Sequence, residues 1–364
     1  MNYETLGDKI KNACIFKGAE KKPFLAPRGV FVANDMLFVS DTGQNRVFIW
    51  NSIPTSEYKN PDVILGQQLI ENTGRNSGGF VNDQTLHYPS GIWSDGKILI
   101  VGDAWNHRVL IWLKIPVVNG QPADVVIGQP DFESNQPNVK GIGNDPTAQS
   151  LNWPYGVFSN GKQLWIADTG NRRILFYELI PTKNYAKADA VIGKEHFNTR
   201  DYENSDPIWP YSVKISDNGQ MAVADTQFYR VLIWNDWKSS FKTKADVIIG
   251  QDNFDASGQN QFGLTPQANS LNWTYDACFY KKGILINDTG NSRVLIYDQI
   301  PTENNSKADA LIGRPNFQTS SEYKENLKAT QSAIYWPFSI TTFKDKMILA
   351  DTGNHRLVIG QLST

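Results

Sequence analysis

The stretch LWIADTGNRRILFY, residues 164–177, decides the fold. Apolar residues run up to Asp168, the chain turns through Thr169-Gly170-Asn171, meets Arg173 and leaves as a second apolar run, the pattern of a β-hairpin. Variants of this phrase occur six times. The leading acid is Asp41, Asp103, Asp168, Asp225, Asp288 and Asp351, and an arginine follows five residues later each time: Arg46, Arg108, Arg173, Arg230, Arg293 and Arg356. The aspartates lie 62, 65, 57, 63 and 63 residues apart. Common propeller blades repeat at roughly 40–50 residues, so each unit here carries an insertion.

Two further apolar segments flank each hairpin. The preceding one is PRGVFVA (27–33), PSGIW (89–93), PYGVF (154–158), PYSVKI (210–215), TYDACF (274–279) and PFSITTF (337–343). The following one is PDVILGQ (61–67), ADVVIGQ (123–129), ADAVIGK (188–194), ADVIIGQ (245–251) and ADALIGR (308–314). Four short strands per unit, punctuated by Gly, Pro, Asn and Asp, predict an all-β protein of six four-stranded antiparallel blades, a single β-propeller over residues 1–364. The last unit stops after three strands, at LVIGQLST. Residues 11–18, NACIFKG with its preceding Lys11, resemble the missing segment, so the N-terminal strand is expected to complete the last blade and cover its open edge.

The connections differ in kind. From Ile53 to Asp62, Ile115 to Asp124, Ile180 to Asp189, Trp237 to Asp246 and Ile300 to Asp309 the spacing is always nine residues. From the end of one unit to the next it drifts: Gly66 to Pro89 is 23 residues, Gly128 to Pro154 is 26 and Gly193 to Pro210 is 17. The insertions therefore sit between blades, on the face that carries the Asp-Thr-Gly-Asn turns, and long variable loops on a rigid scaffold are where binding concentrates. Phe132, Phe197, Phe254 and Phe317 recur four residues after the Gly, and AQSLNW (148–153) and ANSLNW (268–273) suggest one helical turn each, so the loops are expected to pack down.

Composition narrows the function classes. The 364 residues hold 35 Lys and Arg against 37 Asp and Glu, a formal charge of −2, with no basic block. That balance argues against a partner held mainly through phosphates, such as RNA. No run of apolar residues is long enough to span a membrane. The start MNYETLGDKIKNACIF carries no secretory leader; as written it is a cytoplasmic start, and removal of a leader would leave a periplasmic or secreted protein with the same beginning. Cys14 and Cys278 fall on different strands of different units, which makes neither a disulfide framework nor a zinc site.

The signature Pro-x-Gly-Val, then apolar-x-Val-Ala-Asp-Thr-Gly-Asn-x-Arg-Val-Leu, resembles the NHL repeat, and the six copies resemble six-bladed NHL propellers over about residues 27–360. The ADVVIGQPDF element with its long inserts is similar to bacterial members. The resemblance implies a range of functions, since NHL propellers include protein- and RNA-binding modules, extracellular sensor domains and a metal-dependent lyase that acts on peptidylglycine intermediates.

Six equal Asp and Arg residues read as structural ties, because a catalytic group is needed once or twice and a tie once per blade. Asp168 and its equivalents are expected to accept backbone N–H bonds in an Asx-type turn, Gly170 to supply a positive φ, and Arg173 to pair with the carboxylate in bidentate fashion. Ligand-binding candidates are the places where the repeat varies. Residues before the first strand's proline are Ala26, Tyr88, Trp153, Trp209, Trp273 and Trp336; those after it are Arg28, Ser90, Tyr155, Tyr211, Tyr275 and Phe338. With the first strand innermost, as in NHL propellers, these rings surround a channel mouth and could stack on sugars, clamp a peptide or cage a cation. The competing role for the tryptophans is to wedge between blades. Trp105, Gln227 and Phe228 break the turn motif and are expected to project aromatic surface, or else to be drift packed under a loop. Asp276 replaces a Gly or Ser and would form a polar pole with Arg28 across the mouth.

The expected function is a non-catalytic binding module for a small molecule, carbohydrate or extended peptide or protein, without a cofactor. The alternatives are a calcium-dependent hydrolase or lyase, with Asn152, Asn272 and Asp276 imitating the calcium donors of other six-bladed propellers, and an RNA-binding NHL domain. His87, His107, His196 and His355 occupy non-equivalent positions and show no metal-ligand spacing.

Overall fold

The computed structural model describes residues 10–200, 207–320 and 333–362, so the reading of the leaderless start lies largely outside the described residues. The first strand is β1 (Ile10–Phe16). Five sheets then form in chain order. They comprise β2 (Gly29–Ala33), β3 (Met36–Asp41), β4 (Arg46–Trp50) and β5 (Val63–Leu65); β6 (Pro89–Ser94), β7 (Leu99–Asp103), β8 (Arg108–Trp112) and β9 (Val125–Ile127); and β10 (Pro154–Ser159), β11 (Leu164–Asp168), β12 (Arg173–Tyr177) and β13 (Ala190–Ile192). Next come β14 (Pro210–Ile215), β15 (Met221–Asp225), β16 (Arg230–Trp234) and β17 (Val247–Ile249), then β18 (Thr274–Tyr280), β19 (Gly283–Asp288), β20 (Arg293–Tyr297) and β21 (Ala310–Ile312). The sixth sheet joins β22 (Pro337–Phe343), β23 (Lys346–Asp351) and β24 (Arg356–Leu362) to β1, in the order β1-β24-β23-β22. Six four-stranded antiparallel sheets are the all-β, six-bladed β-propeller class expected, and no α-helix occurs among the described residues.

Contacts group the chain into two compact units. The first comprises Ala19–Ile53 and Asn60–Val213; the second comprises Met1–Gly18, Pro54–Lys59 and Lys214–Thr364.

Within the second unit β1 supplies the strand that the last sheet lacks. Ile10 pairs with Leu362, Cys14 with Ile359 and Phe16 with Leu357, across a register shift between Lys11 and Cys14. Ile10 and Phe16 are fully buried. The nine-residue links are fixed for a local reason: the aspartate at the end of each returns a carboxylate oxygen to the backbone N–H eleven residues earlier. Asp62 accepts from Asn51 and Asp124 from Leu113, at 2.7 Å each; Asp309 accepts from Asp298 at 2.8 Å.

Glycine at the first strand has a packing cause. A Cβ at Gly29 would stand 1.9 Å from the Ser90 carbonyl, at Gly91 2.6 Å from the Tyr155 carbonyl, and at Gly156 2.4 Å from the Tyr211 carbonyl. In the first unit, neighbouring first strands therefore approach too closely for any side chain on that face.

The repeated turn departs from expectation in three ways. Each Asp opens a 3-10 turn and makes no capping bond with it; Asp168 Oδ1 instead accepts from Asn152 N–H, sixteen residues back, at 2.7 Å. The positive φ belongs to the residue after the turn, Asn45, His107, Arg172, Tyr229, Ser292 and His355, at 52–55°. Gly170 is required because a Cβ there would meet Asn152 at 2.6 Å, a close approach and not a dihedral need. The arginine contact is single, from Arg173 Nε to Asp168 Oδ2 at 2.7 Å, since its two other nitrogens serve backbone carbonyls. AQSLNW and ANSLNW form hydrogen-bonded turns in place of helical ones, with Ser150 N–H on Thr147 and Ser270 N–H on Gln267.

Candidate functional site

The buried Asp and Arg residues hold loops. Arg173 Nη1 donates to the carbonyl of Phe197 in the following insertion, while Nη2 donates to Thr147 and Ser150 in the preceding one, at 2.8 and 2.9 Å. Arg108 reaches Phe132 at 2.6 Å, Arg230 reaches Phe254 at 2.7 Å and Arg293 reaches Phe317 at 2.6 Å. The recurring phenylalanine thus marks where each loop is pinned. Burial pushes the Asp168 carboxyl up, opposed by Arg173, the Asn152 N–H and Asn171. A charge so deep is sustained only by this full set of donors. The threonine of the turn adds a tie to the next blade: Thr42 Oγ1 donates to the Pro89 carbonyl at 2.6 Å, and Thr169 to that of Pro210 at 2.7 Å.

In the first unit, five of the sequence candidates come together. The Arg28 guanidinium lies 5.0 Å from the Tyr88 ring centroid and its Nη1 donates to Tyr211 Oη at 3.3 Å. Tyr211 stacks on Tyr155 at 4.7 Å, and Tyr155 meets Tyr88 edge-on at 6.5 Å. Trp105 stacks on Tyr88 at 4.6 Å and donates Nε1–H to Tyr155 Oη at 3.2 Å. Trp105 also meets His87 edge-on at 5.2 Å and is 44% exposed. Burial raises the Tyr88 and Tyr155 hydroxyls above the ordinary phenol range, which keeps both protonated at neutral pH. Aromatic pairs of this kind contribute about 0.5–1.5 kcal/mol each and leave a rigid surface.

Trp153 and Trp209 are braced by the preceding blade. Trp153 stacks at 6.0 Å on His107, whose Nδ1 accepts the Trp153 N–H at 3.1 Å; Trp209 lies 4.0 Å under the Arg172 guanidinium. Trp153 still exposes 44% of its surface. Trp153 is thus held by the preceding blade while part of its surface stays exposed. Burial lowers His107 to about 4, so the ring is neutral at pH 7 with Nδ1 as acceptor. A histidine depressed from about 6.5 contributes stability that is fully present above 6.5 and is lost as pH falls toward 4, at most roughly 2–3 kcal/mol. His107→Asn copies the first blade, where Asn45 Oδ1 accepts the Tyr88 N–H at 2.9 Å. The variant is expected to lose part of the wild-type drop in melting temperature between pH 7 and 5; identical drops in both proteins would contradict this role.

In the second unit, Tyr275 and Phe338 stack at 4.2 Å, and Trp336 stacks on Tyr335 at 5.2 Å and is, like Trp273, partly exposed. Asp276 is buried and its cation is Lys214, not Arg28: Lys214 Nζ sits 2.9 Å from Oδ1, while Oδ2 accepts from Ser339 Oγ at 3.1 Å and from Ile340 N–H at 3.0 Å. Lys214 was invisible as a candidate because a lysine in PYSVKI looks like an ordinary outward strand residue. Gln227 is exposed as expected, whereas Phe228 is half-buried, 4.9 Å from the Arg230 guanidinium, so it packs on the scaffold. Cys14 and Cys278 are free thiols. Among the described residues no three His, Cys, Asp or Glu side chains converge as a metal site, and no helix is long and apolar enough to cross a membrane.

No family model matches the chain, and no curated protein does. Solved structures do. Virginiamycin B lyase from Staphylococcus aureus is 10% identical with a TM-score of 0.45, over 93% of this chain and 96% of that one. A chain of a nidogen/laminin complex is 14% identical at 0.45, over 82% and 86%, and the computationally designed Ika8 protein is 7% identical at 0.41, over 92% and 71%. At such distances these likenesses carry nothing about ligand or reaction.

Proposed function

We propose that the chain is a non-catalytic binding propeller of the NHL kind whose ligand stacks on the first-unit cluster of Arg28, Tyr88, Trp105, Tyr155 and Tyr211. The observation that carries this reading is Trp105, 44% exposed yet fixed by a stacked tyrosine and by its own indole N–H bond to another. A rigid indole face beside phenol hydroxyls and one guanidinium suits a carbohydrate, whose C–H faces stack and whose hydroxyls pair; an extended peptide offers the same combination. The NHL resemblance adds the expectation of binding and rests on the six repeated phrases alone.

Titration with oligosaccharide and peptide panels, read by tryptophan fluorescence, is expected to give a saturable change with at least one panel. Silence across both, from a protein with an intact melting transition, counts against the reading. The calcium-dependent alternative fits less well because Asp276 already spends both oxygens on Lys214, Ser339 and Ile340. Stoichiometric calcium in the purified protein would favour that alternative. A steep loss of RNA affinity with salt would favour the third.

A further inference from the structure

Three of the insertions are closed from inside by neutral amides. One residue after Gly66, Gly128 and Gly250 stands a buried glutamine, Gln67, Gln129 and Gln251, whose amide donates to the carbonyl of the turn's left-handed residue, at 3.1, 3.0 and 3.1 Å. The same amide donates to a second carbonyl seven residues on, that of Gly74, Gln136 and Gly258, at 2.7–2.8 Å. Ten residues after the glycines, Asn76, Asn138 and Asn260 exchange amide hydrogen bonds with the turn asparagines Asn106, Asn171 and Asn291, at 2.8–3.2 Å.

The fifth insertion, in the second unit, puts a cation in the glutamine's place. Arg314 follows Gly313 and is 7% exposed. Its Nη1 donates to the carbonyls of Gly313 and Ile334, at 2.6 and 3.0 Å. Its Nε and Nη2 are buried and meet no hydrogen-bond partner among the described residues. These are the two N–H groups that lie side by side on one edge of a guanidinium, at the spacing of two oxygens of one carboxylate or phosphate. The charge is unanswered as well. Arg293, which repels Arg314, is paired with Asp288; Asp351, which attracts it, gives its oxygens to Tyr335 N–H, Asn354 and Arg356. Burial lowers Arg314 to about 10, which leaves it charged at pH 7. Over residues 313–336 the sequence holds Arg314, Lys324 and Lys328 against Glu322 and Glu325. A buried charge without a counter-ion, and with two donors unmet, is strongly destabilising.

We propose that Arg314 is an oxyanion site within the fifth insertion, its Nε–H and Nη2–H gripping two oxygens of one dissolved phosphate, sulfate or carboxylate. The donors set the ligand class, since two parallel N–H groups match two oxygens of one ion better than a single halide. The ion supplies the counter-charge that glutamine makes unnecessary in the other three insertions. Arg314 is bonded to Ile334, so an occupied site also steadies the chain just ahead of the stacked Tyr335 and Trp336. This inference is independent of the aromatic cluster in the first unit.

Titration of the full chain with inorganic phosphate at constant ionic strength tests it, with the melting temperature as the readout. The wild type is expected to gain a saturable stabilisation at millimolar phosphate relative to chloride. Arg314→Gln, which copies the residue of three other insertions, is expected to fold and to bind phosphate about tenfold or more weakly. Arg314→Lys keeps the charge without the paired donors and is expected to fall between the two. A wild type indifferent to phosphate overturns the proposal; if the double variant Glu322→Gln/Glu325→Gln then gains the response, the oxygens come from the chain's own carboxylates. Equal responses in wild type and Arg314→Gln overturn it as well.

Discussion

Replacing Arg173 by alanine is expected to lower stability by roughly 3–5 kcal/mol, among the largest effects of any single change in the chain. The cost has two sources. Asp168, with no exposed surface, loses its counter-charge, and the carbonyls of Phe197, Thr147 and Ser150 lose their donor. Arg173→Lys is expected to recover little, because a single ammonium cannot serve a carboxylate and three carbonyls in three directions. The double change Asp168→Leu with Arg173→Met separates the two sources. Removing both charges of a simple buried pair is often neutral, whereas here the carbonyls remain unpaired and a deficit should persist. Chemical denaturation of the three variants checks this. Wild-type stability in Arg173→Ala would show that the pair is no rivet.

Removal of β1 is the second large effect. Deleting residues 1–19 strips the outer strand from β24, withdraws the buried Ile10 and Phe16, and exposes an unpaired edge. Loss of a fully buried Phe alone costs about 3–5 kcal/mol, and an open apolar edge recruits other chains. The truncated protein is expected to melt earlier, less cooperatively and with aggregation, as followed by scanning calorimetry and light scattering. The point variant Phe16→Ala keeps the edge covered and should fall between the two. A truncated chain that melts at the wild-type temperature would disprove the strand's closing role.

What the sequence shows and what it hides follow from the range of the interactions. The hairpin is local, so six Asp-to-Arg phrases, the strand count and the strand exchange at the ends were all legible. The nine-residue links were legible as constant, and the structure adds the reason in the aspartate that closes each one. Arg173 was legible only as present: its carbonyl partners lie 23 to 26 residues away, and although Phe197 and the AQSLNW stretch recur in sequence, a backbone acceptor does not reveal which side chain donates to it. The same holds for Asn76, Asn138 and Asn260, whose partners lie 30–33 residues on. Their only trace is a constant offset of ten from a glycine. Among the site candidates, aromatic identity at Tyr88, Tyr155 and Tyr211 pointed to a cluster, but the pairing of Asp276 depended on which cation an adjacent strand would bring, and the choice of Lys214 over Arg28 is a tertiary matter.

The central claim is that the repeated residues are scaffold while the broken repeat at Trp105 binds. Its most direct measurement is a fluorescence titration of wild type and Trp105→Ala side by side, with whichever oligosaccharide or peptide the panels yield. The account expects Trp105→Ala to lose affinity about tenfold or more at a nearly unchanged melting temperature. Equal affinity in the two proteins would contradict it.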